Sequence, residues 1–300
     1  MNNRAIARRG WGGSPLATEW TIREVLNWTR GYFEGAGIAQ PRLEAEILLA
    51  HTLGADRLHL YLSPDKPLTQ DEREAYRSAI TERRSGTPLQ HIIGEVTFYG
   101  LRFRVRSDAL VPRPETEELL DHIMRMIPRD RPTRCLDLGT GTGVISICLA
   151  RYLPEAEVTA TDISSGALHL AMENAELNGV AERIRFVESD WFSSIDGCYD
   201  LVVSNPPYVP EDQLDGLSPE VRDHEPQVAL NGGPDGLVQI RNLMEKVPTH
   251  LAPEGIVVFE VGHDQGSRVS ELMAGAGLVE IGVQPDLTGK DRFVVARCPS

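Results

Sequence analysis

The chain has 300 residues, of which 41% are hydrophobic and 25% charged, a balance that suits about two globular domains. It excludes a disordered, collagen-like or disulfide-dense chain. Lys plus Arg is 30 against 44 Asp plus Glu, a formal net charge of −14, so tight binding to bare nucleic acid, which needs clustered cations, is not expected.

Residues 1–18 carry Arg4, Arg8 and Arg9, no acid, and the breakers Gly12, Gly13 and Pro15, and read as a flexible tail. Residues 19–88 read as a small helical bundle. Thr21 and Glu24 form a capping-box pair, followed by Ile22, Val25, Leu26, Thr29, Tyr32 and Phe33 at helical spacing. Gly35 and Gly37 end that helix. Leu43, Ile47 and Leu48 mark a second helix that stops at Gly54. Thr69 and Glu72 form another capping box before Ala75, Tyr76, Ala79 and Ile80. The bundle holds no catalytic constellation.

Gly86, Pro88 and Gly94 break the helical pattern. From Val96 to Val105, Val96, Phe98, Leu101, Phe103 and Val105 alternate around Gly100, which predicts a β-hairpin within a linker spanning 89–111. Over residues 112–300 strands and helices alternate. Strands are expected at Arg134–Leu138, Glu157–Thr161, Ile184–Glu188, Leu201–Ser204, Gly255–Val261, Val279–Val283 and Phe293–Ala296. Helices are expected at Val144–Tyr152 and Ser165–Asn178. Such alternation gives an α/β fold with a doubly wound, mostly parallel sheet, which binds ligands at the carboxyl ends of its strands.

The first strand of that domain ends in Asp137-Leu138-Gly139-Thr140-Gly141-Thr142-Gly143. A dinucleotide fingerprint needs GxGxxG, and Val144 stands where its third glycine belongs. Asp137 would repel a pyrophosphate and attract a cationic amino-acid ligand. S-adenosylmethionine, with an ammonium, a sulfonium and no phosphate, fits these glycines. Asp162, at the next strand end, is placed to accept from ribose hydroxyls. Asp190 and Trp191, at the third, are placed to meet an adenine ring.

The fourth strand ends in Asn205-Pro206-Pro207-Tyr208. Consecutive prolines fix φ and hold the residue before them extended. The Asn205 side-chain oxygen and the Pro206 carbonyl can accept both N–H bonds of a planar amino group. Such a nitrogen is a poor nucleophile because its lone pair is delocalised. Accepting both protons favours the charge that grows on it during methyl transfer. Tyr208 offers a face for a planar substrate group. A flipped nucleobase could use the same acceptors; the net charge argues against that reading. A dehydrogenase is disfavoured by Asp137 and Val144.

Together these residues resemble the class I S-adenosylmethionine-dependent methyltransferases, and more closely the release factor glutamine methyltransferases (the HemK/PrmC family). The resemblance extends to Gly86–Gly94, Pro112–Glu117, Asp190–Phe192, Asn231–Leu237 and Gly289–Arg292. It implies methyl transfer to the glutamine amide nitrogen in the Gly-Gly-Gln motif of class 1 peptide chain release factors. It implies cofactor contacts from Gly139, Thr140, Gly141, Thr142, Gly143, Asp162, Trp191 and Asn205, beside the Asp190 read above from the third strand end. Asn205, Pro206, Pro207 and Tyr208 would hold the glutamine, with Asn205 and Pro206 catalytic. Arg113 and Pro114 would lie near the methionine end. Residues 19–88 would dock the substrate protein.

A segment from 211 to 225 sets Glu211, Asp212, Asp215, Glu220, Asp223 and Glu225 against one Arg, Arg222, and reads as an acidic loop facing solvent or a protein partner. Cys135, Cys148, Cys198 and Cys298 form no CxxC pair, which suits a reducing, cytoplasmic setting. No histidine spacing suggests a metal site, and no apolar run of about 18 residues suggests a membrane span.

Overall fold

A computed structural model describes residues 20–129 and 131–300. The tail expected at 1–18 lies outside the described residues. The chain divides into two compact units between Ile93 and Gly94.

The first unit holds helices α1 (Ile22–Gly35), α2 (Pro41–Thr52), α3 (Arg57–Leu62), α4 (Gln70–Arg84) and α5 (Leu89–Ile93). Both capping boxes form, at Thr21/Glu24 and Thr69/Glu72, and satisfy the first free N–H groups of α1 and α4. Ile22, Val25, Thr29 and Phe33 fall on one face of α1 and are buried. Tyr76 of α4 crosses to α2, where its hydroxyl donates to the Ala45 carbonyl at 3.0 Å. Residues 89–93, which read as the start of the linker, coil into α5 because Leu89 and Ile92 pack on this core.

The second unit opens with a hairpin of β1 (Glu95–Phe98) and β2 (Leu101–Arg104), followed by α6 (Pro114–Met126). Then come β3 (Thr133–Leu138), α7 (Val144–Tyr152), β4 (Ala156–Asp162), α8 (Ser165–Leu177), β5 (Ile184–Glu188) and β6 (Tyr199–Ser204). The chain ends with α9 (Pro219–His224), α10 (Val238–Met244), α11 (Val247–His250), β7 (Leu251–Glu260), α12 (Gly266–Gly275), β8 (Val279–Pro285) and β9 (Asp291–Arg297). The seven strands order as β5-β4-β3-β6-β7-β9-β8. β9 runs antiparallel to both β7 and β8; the other pairings are parallel.

Alternation along the central strands sends side chains to two cores. Cys135, Leu201, Val203 and Val258 pack with α6 and α7, while Leu136, Val202, Val257 and Phe259 pack with α10 and α12. Burial on both faces explains why these strands read as near-continuous apolar runs. Each fully buried aliphatic side chain contributes about 1.5–3 kcal/mol, so the strand ends that carry the polar groups below are held on a stiff base.

Candidate active-site cleft

The sheet changes winding direction at β3. The chain runs outward from β3 to β4 and β5, then returns to β6 on the other side of β3. A crevice forms at such a switch point, beyond the carboxyl ends of the strands. Register makes Leu138 and Ser204 partners, and the Ser204 hydroxyl donates to the Leu138 carbonyl at 2.7 Å. Gly139 and Asn205 are the next residues on each strand, so the glycine loop and the proline corner stand side by side. Both line a cleft of about 820 Å³.

Gly143 caps α7 with φ of 83°. A β-carbon there would lie 2.9 Å from Ile147 Cδ1 and 3.1 Å from Ala171 Cβ, so glycine also allows the close approach of α8. The loop is tied from beneath. Asp137 Oδ2 accepts from the Thr140 hydroxyl at 2.6 Å and from the Ser146 N–H at 3.1 Å. Asp137 is 0% exposed, and its Oδ1 has no hydrogen-bond partner among the described residues. Burial pushes its carboxyl up to about 7, against the Thr140 and Ser146 bonds that favour the charged form. The sequence reads Asp137 as an acid whose charge attracts a cationic ligand at this strand end; its side chain does not line the cleft but is buried against the loop residues Thr140 and Ser146.

Asp162 lines the cleft and takes backbone donors on both oxygens: Gly141 N–H to Oδ2 at 2.9 Å and Ser164 N–H to Oδ1 at 2.9 Å. Desolvation raises its pKa against those bonds. A carboxylate has about four acceptor sites, so capacity remains for a ligand. Asp190 is exposed at the cleft wall. Trp191 has φ of 50°, which turns its ring against Gly139, and its indole N–H donates to Gln239 Oε1 at 3.1 Å.

Asn205 and Pro207 line the cleft; Pro206 is buried between them and Tyr208 is half-buried. Burial raises the Tyr208 phenol, with the Glu260 carboxyl nearby adding to the rise. The corner is braced by the Asn231–Leu237 stretch. Val209 N–H donates to Leu230 O at 3.0 Å and Gly232 N–H returns a bond to Val209 O at 2.9 Å. Gln265 Nε2 donates to Tyr208 O at 2.9 Å. A β-carbon on Gly236 would collide with that same carbonyl oxygen.

Two groups escaped the sequence reading. Glu260 ends β7, beside Asn205, and accepts from the Thr116 hydroxyl at 2.8 Å. Its only sequence signal is an acid closing an apolar strand. Glu225 is the other. The sequence set it in a solvated acidic loop, yet it is buried, and both its oxygens accept from Arg113 Nη2, at 2.9 and 2.7 Å. Pairing with a cation explains the burial of this acid. The remaining exposed acids of that loop include Glu211, Asp212 and Asp215. Arg113 itself lines the cleft, as does Thr116.

All four cysteines are free. Among the described residues no His, Cys, Asp and Glu cluster could hold a metal, and no helix is long and apolar enough to cross a membrane.

The switch-point cleft and sheet order are those of a class I methyltransferase. A methyltransferase from Pyrococcus furiosus superposes with a TM-score of 0.50 at 20% identity, over 68% of this chain and 91% of that one. Residues 116–218 match the methyltransferase small domain, and residues 24–94 match the PrmC N-terminal domain. The release factor glutamine methyltransferase of Chlorobaculum tepidum is 43% identical over 93% of this chain and 97% of its own length. That of Geobacter sulfurreducens is 41% identical over the same shares. The chain belongs to the release factor glutamine methyltransferase family.

Proposed function

We propose that this enzyme transfers a methyl group from S-adenosylmethionine to the side-chain amide nitrogen of the Gly-Gly-Gln glutamine in class 1 peptide chain release factors. The observation that carries the reading is the Leu138–Ser204 register, which sets the glycine loop and Asn205 shoulder to shoulder at the switch point.

The residues of the cleft suit the cofactor. Gly139 and Gly141 leave backbone free for close approach, Asp162 has acceptor capacity for ribose hydroxyls, and Asp190 and Trp191 form a wall for a base. The unpartnered Asp137 Oδ1 places negative charge below the loop, where a cationic amino-acid end is favoured. When bound, the cofactor supplies a methyl group made electrophilic by its sulfonium.

The protein's part is positioning and electrostatics. Asn205 Oδ1 and the Pro206 carbonyl accept the two amide N–H bonds of the substrate glutamine. This raises electron density on nitrogen and stabilises the charge it gains as the N–C bond forms and the C–S bond breaks. The alkylated amide nitrogen is then cationic and strongly acidic and gives its proton to solvent water, so no strong base is required. Holding the reactants in line contributes up to about 7–11 kcal/mol. Tyr208 packs the carboxamide plane. Residues 19–88 dock the release factor, and the unit that begins at Gly94 carries the chemistry. With net charge −14, a cytoplasmic protein partner suits the chain better than nucleic acid does.

The test is a mass spectrum of a purified class 1 release factor after incubation with the enzyme and S-adenosylmethionine. A single methyl on the Gly-Gly-Gln peptide supports the reading. An unmodified peptide with cofactor shown to bind rejects it.

A further inference from the structure

A carboxamide has two unlike ends. For Asn205 to accept from a substrate amide, its oxygen must face the substrate and its NH2 must be occupied elsewhere. Ser204 pairs with Phe259 in parallel register, so Asn205 and Glu260 are adjacent strand ends. Glu260 is 1% exposed. Its carboxyl accepts from the Thr116 hydroxyl at 2.8 Å, and the register sets it beside Asn205, whose side chain favours its charged form. An ionised carboxylate only accepts, so the end of Asn205 that suits it is the NH2. Burying such a group is costly unless its partners compensate, and an apolar residue would extend the strand's own pattern.

We infer that Glu260 is a positioning residue: it fixes the Asn205 carboxamide with the oxygen turned to the acceptor amide and the NH2 turned away. The inference rests on the acceptor role proposed above for Asn205.

It carries a pH consequence. The charged and titratable groups facing Glu260 are Arg292 of β9, Glu115 of α6 and Tyr208 of the proline corner. Burial dominates and pushes the Glu260 carboxyl up to about 7; Thr116, Arg292 and Asn205 pull against the rise and Glu115 adds to it. Once protonated, Glu260 can donate to Asn205 Oδ1. That bond favours the reversed carboxamide, whose NH2 then meets the substrate's own N–H groups. Correct orientation is therefore lost as pH falls through the Glu260 pKa and is complete above it.

The experiment compares wild type, Glu260→Gln and Glu260→Leu in kcat and KM on a purified release factor across about pH 5.5–9. Calorimetry gives the affinity of each for S-adenosylhomocysteine, and for a Gly-Gly-Gln peptide in its presence. Glu260→Leu is expected to lower kcat by about a hundredfold and to weaken peptide binding, with S-adenosylhomocysteine affinity held within about threefold. Glu260→Gln keeps a carbonyl for the Asn205 NH2 and has no proton to gain, because Thr116 can turn its hydroxyl to accept. It is expected to keep kcat within about tenfold of wild type at high pH and to lose the wild-type decline on acidification, in both turnover and peptide affinity. Wild-type kcat in Glu260→Leu, or a wild-type acid decline in Glu260→Gln, overturns the inference. If Glu260→Leu does not fold, the pH profile of Glu260→Gln decides alone. A wild-type enzyme that never methylates the release factor rejects the acceptor reading itself, which is a separate failure.

Discussion

The Ser204 hydroxyl reaches across to the Leu138 carbonyl at 2.7 Å, joining the strand that ends in the glycine loop to the strand that ends in the proline corner. Both residues are fully buried, so no water can replace the bond. Ser204→Ala leaves that acceptor short of a donor and should cost about 1–2 kcal/mol of stability in urea unfolding. Because the tie lies one residue from both reacting sites, kcat should fall more than cofactor affinity does. Unchanged stability and turnover would show that the sheet ladder alone sets the spacing.

Asn205 and Asp162 separate the two halves of the site. Asn205→Ala removes an acceptor for the glutamine amide; methylation should become barely measurable while cofactor affinity stays within about tenfold. Asp162→Ala should weaken cofactor binding by about 1–3 kcal/mol through lost hydrogen bonds. It also frees the Gly141 N–H, now held at 2.9 Å, so the loop itself should loosen. Calorimetric titration of both variants checks the division. Equal losses of cofactor affinity in the two would contradict it.

Arg113 and Glu225 close one wall of the cleft across 112 positions of sequence. Desolvation raises the Glu225 pKa, and Arg113 is the main group opposing it. Arg113→Ala strands a buried carboxyl whose second anchor, the Val111 N–H at 3.4 Å, is long. A loss of about 3–5 kcal/mol follows if the charge stays in place. The double variant Arg113→Ala/Glu225→Gln should recover most of it. A thermal melt in which the double variant is no better than the single one would mean that Arg113 acts through packing rather than charge.

The local parts of this architecture were legible because local chemistry writes them. Thr21/Glu24 and Thr69/Glu72 cap helices within three residues, and the Gly139–Gly143 turn and the Asn205–Tyr208 corner are contiguous. Strand existence followed from apolar runs, but the order β5-β4-β3-β6-β7-β9-β8 depends on contacts no local pattern encodes. The same limit hid the second layer of the site. Thr116 and Glu260 are 144 residues apart, and nothing in either neighbourhood names the other. Glu225 looked like one acid among many because its partner lies in another segment. Asp137 was placed at the right strand end, yet its burial depends on how the loop folds over it.

That burial gives Asp137 a measurable signature. Its native pKa is about 7, above an ordinary value of 3.8, so the folded state holds the proton more tightly than the unfolded chain. Between those two values the unfolded chain binds fewer protons, and stability falls as pH rises. The penalty is absent well below pH 4 and fully present above about pH 7. Asp137→Asn keeps a carbonyl oxygen for Thr140 and Ser146 and removes the charge. Its stability relative to wild type should therefore climb by on the order of 2–4 kcal/mol from about pH 4 to pH 8 in the enzyme without cofactor. The same variant should bind S-adenosylmethionine more weakly, since the charge that destabilises the empty loop is the one that favours a cationic ligand. Denaturant melts of the two proteins at closely spaced pH values measure the difference, and two curves that stay parallel throughout would show that Asp137 is ionised in the fold without penalty.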